Sequence, residues 1–243
     1  MSAVRCHTLK KNRLELRCSL VLSKLFPNVA LNYNIFQNSI IQTVEMLIIT
    51  GIISFLISLI IGVLLVVTKK DGIASNPVVW NILDKIINLF RSIPFIILIA
   101  ALIPLTRVLS GTAIGVKGTI FPLIVGIVPF FSRQIESALN DLDQGLIESG
   151  QVMGLSTFQI IKSIYLKESI SNISRVTTIT FISLIGLTAI VGVVGGGGIG
   201  DFAIQYGFQQ NEQDATFACI IVLLVIVTIV QIIGTLVSRK TTH

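Results

Sequence analysis

Charged residues are scarce in this chain, and their scarcity excludes a water-soluble domain. Only 12% of the 243 residues are Asp, Glu, Lys or Arg, whereas 53% are hydrophobic and the mean hydropathy is +0.89. Soluble domains contain about a quarter charged residues. Long apolar runs of the length that an α-helix needs to cross a bilayer recur along the chain. The composition therefore indicates an integral membrane protein.

Histidines and phosphate-binding signatures are also nearly absent, which excludes several classes of enzyme. The two histidines, His7 and His243, lie at opposite ends, and the three cysteines show no metal-ligand spacing. Neither G-x-x-x-x-G-K-[ST] nor any Gly-Lys dipeptide occurs, so no P-loop is expected. We predict a non-enzymatic chain without catalytic residues, metal, bound cofactor or nucleic-acid partner.

The apolar runs predict five transmembrane helices and hence an all-α membrane fold. The expected spans are residues 39–67, 82–105, 117–136, 171–196 and 214–238. The third has the shortest apolar run and contains Pro122 and Pro129. It reaches a spanning length only if the helix continues through Arg133 and Glu136. Prolines are tolerated in membrane helices because neighbouring groups satisfy the freed carbonyls.

The loops differ in basic residues, and this asymmetry predicts the orientation. Lys and Arg concentrate in segments 68–91 and 133–175 and at Arg239 and Lys240, whereas residues 201–214 contain acids but no base. Lys and Arg favour the cytoplasmic side. We expect the N-terminus outside, the C-terminus inside, and the loop 137–170, between the third and fourth spans, in the cytoplasm.

The first 35 residues conflict with this orientation, because six basic residues precede the first span. Lys24 and Pro27 interrupt their only apolar stretch, so a signal peptide is not predicted. Three interpretations remain: an interfacial amphipathic helix, an extra re-entrant pass, or a true start further downstream. We treat residues 1–35 as an extension of the membrane domain 36–243 and predict that the first 30 are dispensable.

The loop 137–170 has helical periodicity, with apolar residues at spacings near three and four from Leu146 to Tyr165. Ser156 is the expected N-cap of a helix through Lys162, and Gly154 marks the bend between two short helices. The segment is either a hairpin resting on the headgroups or a docking element for a cytoplasmic protein. In the second case Gly150 and Gly154, one turn apart, would leave a flat patch.

The stretch GVVGGGGIGD, residues 192–201, matches the spacing G-x-G-x-x-G but follows a long uncharged run instead of a short strand. We therefore predict a helix end with close backbone packing. A gate at the outer end of span four shares that geometry. A channel filter is less favoured, because the Thr and Tyr of a potassium-type filter are missing. The gate candidates are Ile190, Val191, Val193, Val194, Gly195, Gly197 and Gly200.

A further set of residues is expected to line a transport pathway: Arg91, Ser92, Pro94, Ser183 and Thr188. Arg91 either extends to the inner headgroups or pairs with an acid such as Glu136 or Glu148, which would tie span two to the cytoplasmic loop. Pro94 would then act as a hinge.

Several motifs resemble the permease subunits of binding-protein-dependent ABC importers, in particular bacterial methionine importers. Residues 147–150, followed by Gly154, Ile164 and Leu166, are similar to the EAA signature of these permeases. Ser149 and Gly150 replace its two alanines, and Lys167 replaces its usual proline. Residues 90–95, 103–107, 111–115 and 195–200 match in order and spacing. The resemblance extends from about residue 40 to the C-terminus.

This resemblance implies a type I importer fold in the bacterial cytoplasmic membrane. It implies a homodimer, two cytoplasmic ATPase subunits that hold ATP and Mg²⁺, and an extracytoplasmic lipoprotein that delivers L- and D-methionine. The coupling residues would be Glu148, Ser149, Gly150, Gly154, Leu155, Ile164 and Leu166. The alternatives are a permease for another amino acid or peptide, or an ion-coupled transporter, which the lack of mid-membrane carboxylates disfavours.

Overall fold

The computed structural model describes residues 26–241, and all regular structure in that part of the chain is helical. Two turns of this helical structure, Ile161–Tyr165 and Ala203–Gln209, are π-helical. The all-α class is therefore confirmed. In chain order the helices are α1 (Pro27–Leu31), α2 (Tyr33–Thr68), α3 (Pro77–Ser92), α4 (Phe95–Ser110), α5 (Gly115–Asn140), α6 (Gln144–Val152), α7 (Thr157–Ile160), α8 (Leu166–Glu168), α9 (Ile170–Val193), α10 (Gly198–Phe202) and α11 (Gln213–Thr241).

Four helices, α2, α5, α9 and α11, are long and apolar enough to cross a membrane, and the bent pair α3–α4 supplies a fifth span if it is counted as one. The prediction of five membrane helices agrees with this upper count. Helix α5 runs without interruption through Pro122 and Pro129 and continues past Arg133 and Glu136 to Asn140. The third span thus reaches a spanning length because its helix continues through Arg133 and Glu136, as was predicted.

The expected second span, residues 82–105, is not a continuous helix. The helix axis bends by 106° between α3 and α4, and Ile93 and Pro94 lie at the bend. The ring of a proline disfavours the helical conformation of the preceding residue, and Ile93 is accordingly extended, with φ −85° and ψ 124°. Only Ile87 of α3 is buried, so this helix lies largely on the surface of the subunit.

Small residues of α2 let it pack closely along α5, as is usual between membrane helices. A Cβ atom at Gly62 would lie 2.6 Å from Cγ2 of Ile135. The Ser58 hydroxyl donates a hydrogen bond of 3.2 Å to the carbonyl of Val128. The interior between α2, α4, α5 and α9 is apolar and includes Met46, Leu123 and Leu184 among its buried residues.

Residues 26–31, which lie upstream of the expected boundary at residue 35, pack against the membrane domain. The backbone N–H and side-chain amide of Asn28 donate 2.9 Å hydrogen bonds to the two carboxylate oxygens of Asp214, at the start of α11. Val29 is fully buried in a cluster with Phe36 and Phe202. Packing therefore continues upstream of α2. The interpretations given for residues 1–25 lie outside the described residues.

Candidate coupling loop, pathway surface and gate

Helices α6 and α7 form the bent pair that was predicted for the cytoplasmic loop. Asp143 caps α6 by accepting a 2.9 Å hydrogen bond from the N–H of Gly145. Ser156 caps α7 in a reciprocal box, in which it accepts from the N–H of Gln159 and donates its own N–H to the Gln159 side chain. Gly154 lies at the bend with φ +76°. The predicted N-cap at Ser156 is confirmed, and the helix continues through Lys162 as a π-helical turn.

Gly150 faces the inside of this loop, so the predicted flat patch of Gly150 and Gly154 is wrong. A Cβ atom at Gly150 would lie 2.5 Å from Cδ1 of Ile164, whereas one at Gly154 would meet nothing within 4 Å. The carbonyl of Gly150 accepts a 3.1 Å hydrogen bond from the N–H of Leu155. Gly150 therefore lets the two arms of the loop pack together, and only Gly154 belongs to the outer surface.

The outer surface of the bend, which we call the loop tip, consists of Val152, Met153, Gly154 and Phe158. The three apolar side chains are 88%, 70% and 72% exposed. Clustered exposed apolar side chains mark interaction surfaces. Glu148 and Ser149 are also exposed on α6, and the Ser149 hydroxyl donates to the carbonyl of Gly145 at 2.6 Å. The tip therefore has the character of a docking element.

The inner side of the loop is fixed to α5. Leu155 and Ile164 pack against a buried cluster that contains Ile135 and Leu139 of α5. Tyr165 is buried in the same cluster, and burial raises the pKa of its phenol. Leu166 is half-buried, at the junction of the loop with α9. Packed side chains thus connect the loop to a membrane span.

A small polar cavity of about 120 Å³ separates α6 from the end of α2. Glu148, Lys69, Asn140 and Tyr165 are among the residues that line it. The ammonium group of Lys69 donates a 2.7 Å hydrogen bond to the side-chain oxygen of Asn140, which joins the C-terminal ends of α2 and α5.

Arg133, and not Arg91, forms the ion pairs at this end of the second span. Its guanidinium pairs with Asp84 of α3 and, at 2.7 Å, with Glu136 of α5. Arg91 is exposed, and no ion pair of Arg91 is found within residues 26–241. The tie between the second span and the cytoplasmic loop that was expected of Arg91 is therefore not found among these residues. A different arginine, Arg133, joins the second span to the third, and it does not contact Glu148.

Three of the predicted pathway residues line one concavity of about 470 Å³. Arg91 and Pro94 contribute from the bend between α3 and α4, and Ser183 contributes from α9. Phe95 and Phe130 complete much of its apolar wall. Its lining combines apolar rings with a few polar atoms, as small-molecule sites usually do.

Two other predicted pathway residues lie elsewhere. Ser92 is exposed and donates to the carbonyl of Asn88 at 2.8 Å, on a surface outside the concavity. Thr188 is buried, and its hydroxyl donates to the carbonyl of Ile185 at 2.7 Å. Thr188 is therefore a core residue of the subunit and is removed from the set of pathway candidates.

One face of α9 is exposed along the whole helix. Its members, which we call the exposed stripe, recur at spacings of three and four: Arg175, Ile179, Ser183, Gly186, Ile190 and Val193. Because residues at these spacings lie on one side of a helix, the stripe is a continuous surface that passes the concavity at Ser183. Such a surface suits a second copy, a pathway, or both.

The glycine run reverses the chain between α9 and α10. Gly195, Gly197 and Gly198 have φ values of +82°, +79° and +81°. A Cβ atom at Gly200 would lie 2.3 Å from the carbonyl oxygen of Ala189, so the two backbones touch. The predicted close packing at the end of span four is therefore confirmed. Among the expected sealing residues, Ile190, Val193 and Val194 are exposed, but Val191 is fully buried and cannot take part.

Two residues of α2 that the sequence analysis missed hold this turn in place. Gln42 accepts a 2.9 Å hydrogen bond from the N–H of Gly198, and the Thr43 hydroxyl accepts one of 2.8 Å from the N–H of Ile199. These amide groups are the ones that a phosphate would need, so the turn is not a nucleotide site. The sequence signal that could have identified Gln42 and Thr43 is that two adjacent polar residues interrupt a strongly apolar span.

Several membrane spans, a structured loop with an apolar tip and a concavity beside a bent helix pair together define a membrane transport component. Residues 72–243 match the family described as binding-protein-dependent transport system inner membrane component. The chain belongs to this family and is a non-catalytic permease subunit.

Three relatives illustrate the similarity. The probable D-methionine transport system permease protein MetI of Vibrio cholerae is 39% identical over 88% of this chain and 95% of its own. The methionine import system permease protein MetP of Bacillus subtilis is 39% identical over 72% of this chain and 79% of its own. A chain of the MetNI methionine ABC transporter, solved in an inward-facing conformation, matches with a TM-score of 0.84 and 37% identity, over 86% of this chain and 97% of that one.

Proposed function

We propose that this permease carries methionine, as the L- and D-isomers, into the cell by alternating access driven by separate ATPase subunits. The observation that carries the proposal is the 39% identity to a D-methionine permease over 95% of that relative's length. The similarity to a chain of a solved methionine transporter also supports it. A permease for another small amino acid is the alternative, because composition alone does not identify methionine.

The proposed assembly contains two copies of this chain, two cytoplasmic ATPases that carry ATP and Mg²⁺, and a methionine-binding lipoprotein outside. The loop tip would dock into an ATPase, with Glu148 available to pair with a basic group. The exposed stripe of α9 and the adjacent concavity supply a surface for the second copy and the substrate. The outer turn at Gly195–Gly200, with Ile190 and Val194 beside it, would form the external gate.

The packing of the loop suggests how ATP hydrolysis reaches the pathway. Movement of the loop tip would displace α5, because Leu155 and Ile164 pack against it. Arg133 connects α5 to α3 through Asp84, so α3 would move as well. The bend at Pro94 lets α3 turn relative to α4, and the concavity lies at that bend. The pathway would therefore change shape when the ATPases close.

Uptake in reconstituted vesicles tests the substrate. Vesicles that contain the permease, its ATPase and its binding protein should accumulate labelled methionine with ATP, and unlabelled L- and D-methionine should compete better than other amino acids. Replacing Ser183 by phenylalanine should fill the concavity and reduce uptake at least about tenfold, on the scale of an overpacking cost of 1–3 kcal/mol. Val225→Phe, on an exposed face of α11 away from the concavity, is the matched control. Selective uptake of a different amino acid would reject methionine.

The proposed orientation, N-terminus outside and C-terminus inside, predicts which loops are accessible from each side. In a background without the native cysteines, a cysteine at Gln209 should react with an impermeant maleimide added outside, and one at Ser156 only after the inner side is opened. Both positions are exposed. Labelling of both from the same side would contradict the topology.

A further inference from the structure

A large groove opens on the membrane surface between α2 and α11, with α9 as its floor. Its volume is about 620 Å³, and its lining is almost entirely apolar. It runs from Leu47, in the first half of α2, to Leu166 and Ile170 at the junction with the coupling loop. We call it the membrane groove. Because its walls are membrane-spanning helices, its occupant must be a component of the bilayer or another protein surface.

The hydroxyl groups that line the groove already have hydrogen-bond partners within the subunit. Ser174 donates to the carbonyl of Gly234 of α11 at 3.5 Å. Thr177 donates to the carbonyl of Ile173 at 2.6 Å, and Thr178 donates to the carbonyl of Ser174 at 2.9 Å. Hydroxyls that are already bonded to backbone carbonyls offer little to a polar ligand. The interior of the groove therefore suits a hydrocarbon chain.

The groove and the exposed stripe lie on opposite faces of α9. Thr177 precedes Ile179 of the stripe by two positions, and Phe181 precedes Ser183 by two. Two residues correspond to about 200° around an α-helix. If the stripe faces the pathway and the second copy, as the proposed function requires, the groove faces the lipid.

The end of the groove nearest the coupling loop is basic. Lys167 lies one turn before Ile170, and Lys240 lies one turn after Val237, and both apolar residues line the groove. Neither lysine forms an ion pair with any residue in the range 26–241. The neighbouring acid, Glu168, lies one turn before Ser171, which does not line the groove. Glu168 is therefore not on the side of the helix that faces the groove. Anionic lipids are attracted to basic residues at the cytoplasmic surface.

We propose that the membrane groove binds one anionic phospholipid of the inner leaflet, with an acyl chain between α2 and α11 and the phosphate at Lys167 and Lys240. The assignment to the inner leaflet rests on the orientation given under the proposed function. The lipid would lie where the coupling loop joins α9, because Leu166 and Ile170 belong to the loop and also line the groove.

Native mass spectrometry of the full-length chain in complex with its ATPase tests the site. The complex is reconstituted in vesicles of equal amounts of phosphatidylglycerol and phosphatidylethanolamine and then extracted. The extracted complex should retain phosphatidylglycerol in preference to phosphatidylethanolamine. The groove-filled variant Thr177→Phe/Ile233→Phe should retain at least tenfold less, whereas Val225→Phe, on an exposed face of α11 outside the groove, should retain the normal amount.

Substitution of the two lysines provides a second test, which leaves the groove itself unchanged. Lys167→Gln and Lys240→Gln are exposed changes, and each should lower the preference for phosphatidylglycerol about fivefold, the equivalent of roughly 1 kcal/mol per basic residue. Unchanged lipid retention in the groove-filled and lysine variants would overturn the proposal, as would cross-linking of cysteines at Ile233 between two copies. Neither readout depends on the transported substrate, so failure of methionine uptake would leave this test valid.

Discussion

Replacing Gly154 by leucine is expected to weaken association with the ATPase about tenfold to a hundredfold. The left-handed backbone at Gly154 costs a residue with a Cβ atom roughly 1–2 kcal/mol. The new side chain would also project from the loop tip into the proposed contact, where overpacking costs about 1–3 kcal/mol. A tenfold change corresponds to about 1.4 kcal/mol. Co-purification of the ATPase with the variant permease measures the effect.

Two companion variants separate the causes. Gly154→Asn introduces a small side chain that tolerates the left-handed conformation, so association should weaken only slightly. Phe158→Ala removes an exposed apolar side chain without changing the turn, and association should weaken if the tip is buried in the partner. The membrane spans should melt at the normal temperature in all three. If Gly154→Leu binds the ATPase normally and supports full uptake, the loop is only a surface hairpin.

A chain that begins just before Tyr33 is expected to lose about 3 kcal/mol or more of stability, which reverses the sequence-based prediction that the first 30 residues are dispensable. Truncation removes the buried Val29, whose burial contributes about 1.5–3 kcal/mol. It also removes both hydrogen bonds that Asn28 donates to Asp214, and bonds to a charged group contribute about 1.5–3 kcal/mol. The half-exposed position of Asp214 favours the lower end of that range.

Thermal unfolding of the purified permease measures this loss, and point variants locate it. Val29→Ala and Asn28→Ala should each lower the melting temperature, whereas Leu31→Ala should not, because Leu31 is 83% exposed. The three positions share one short helix, so the comparison isolates packing from local helix propensity. An unchanged melting temperature for the truncated chain would show that α1 contributes nothing to the fold.

Hydropathy identified α2, α5, α9 and α11, because a helix that crosses hydrocarbon must satisfy its own backbone groups and expose apolar side chains. Hydropathy did not identify the break at Pro94, although Pro94 was expected to act as a hinge within the second span. Pro104, Pro122 and Pro129 lie inside continuous helices, while Pro94 separates two helices at 106°. The same residue type thus gives opposite outcomes. Proline alone therefore does not decide whether a helix breaks, and the packing around each proline must contribute.

The same distinction separates the site predictions. The cap at Ser156 and the turn at Gly154 depend on neighbouring residues, so the sequence was sufficient. The inward orientation of Gly150 and Thr188 depends on the rotation of each helix against its neighbours. The contact of Gln42 with Gly198 joins residues that are 156 positions apart. Contacts of that kind become visible only when the fold places both partners together.

Helix α2 has a consequence for the membrane around the subunit. Its 36 residues rise about 54 Å, whereas the hydrocarbon layer is about 30 Å thick. Even at a tilt of 40°, the upper end of the usual range, about 39 Å of helix is enough to cross that layer. Roughly ten residues must therefore stand in the headgroup region, or the lipid must stretch to meet them. A change in bilayer thickness would therefore act on a helix that also holds the turn at residues 195–200 through Gln42 and Thr43, and we expect that turn to respond to the thickness of the membrane.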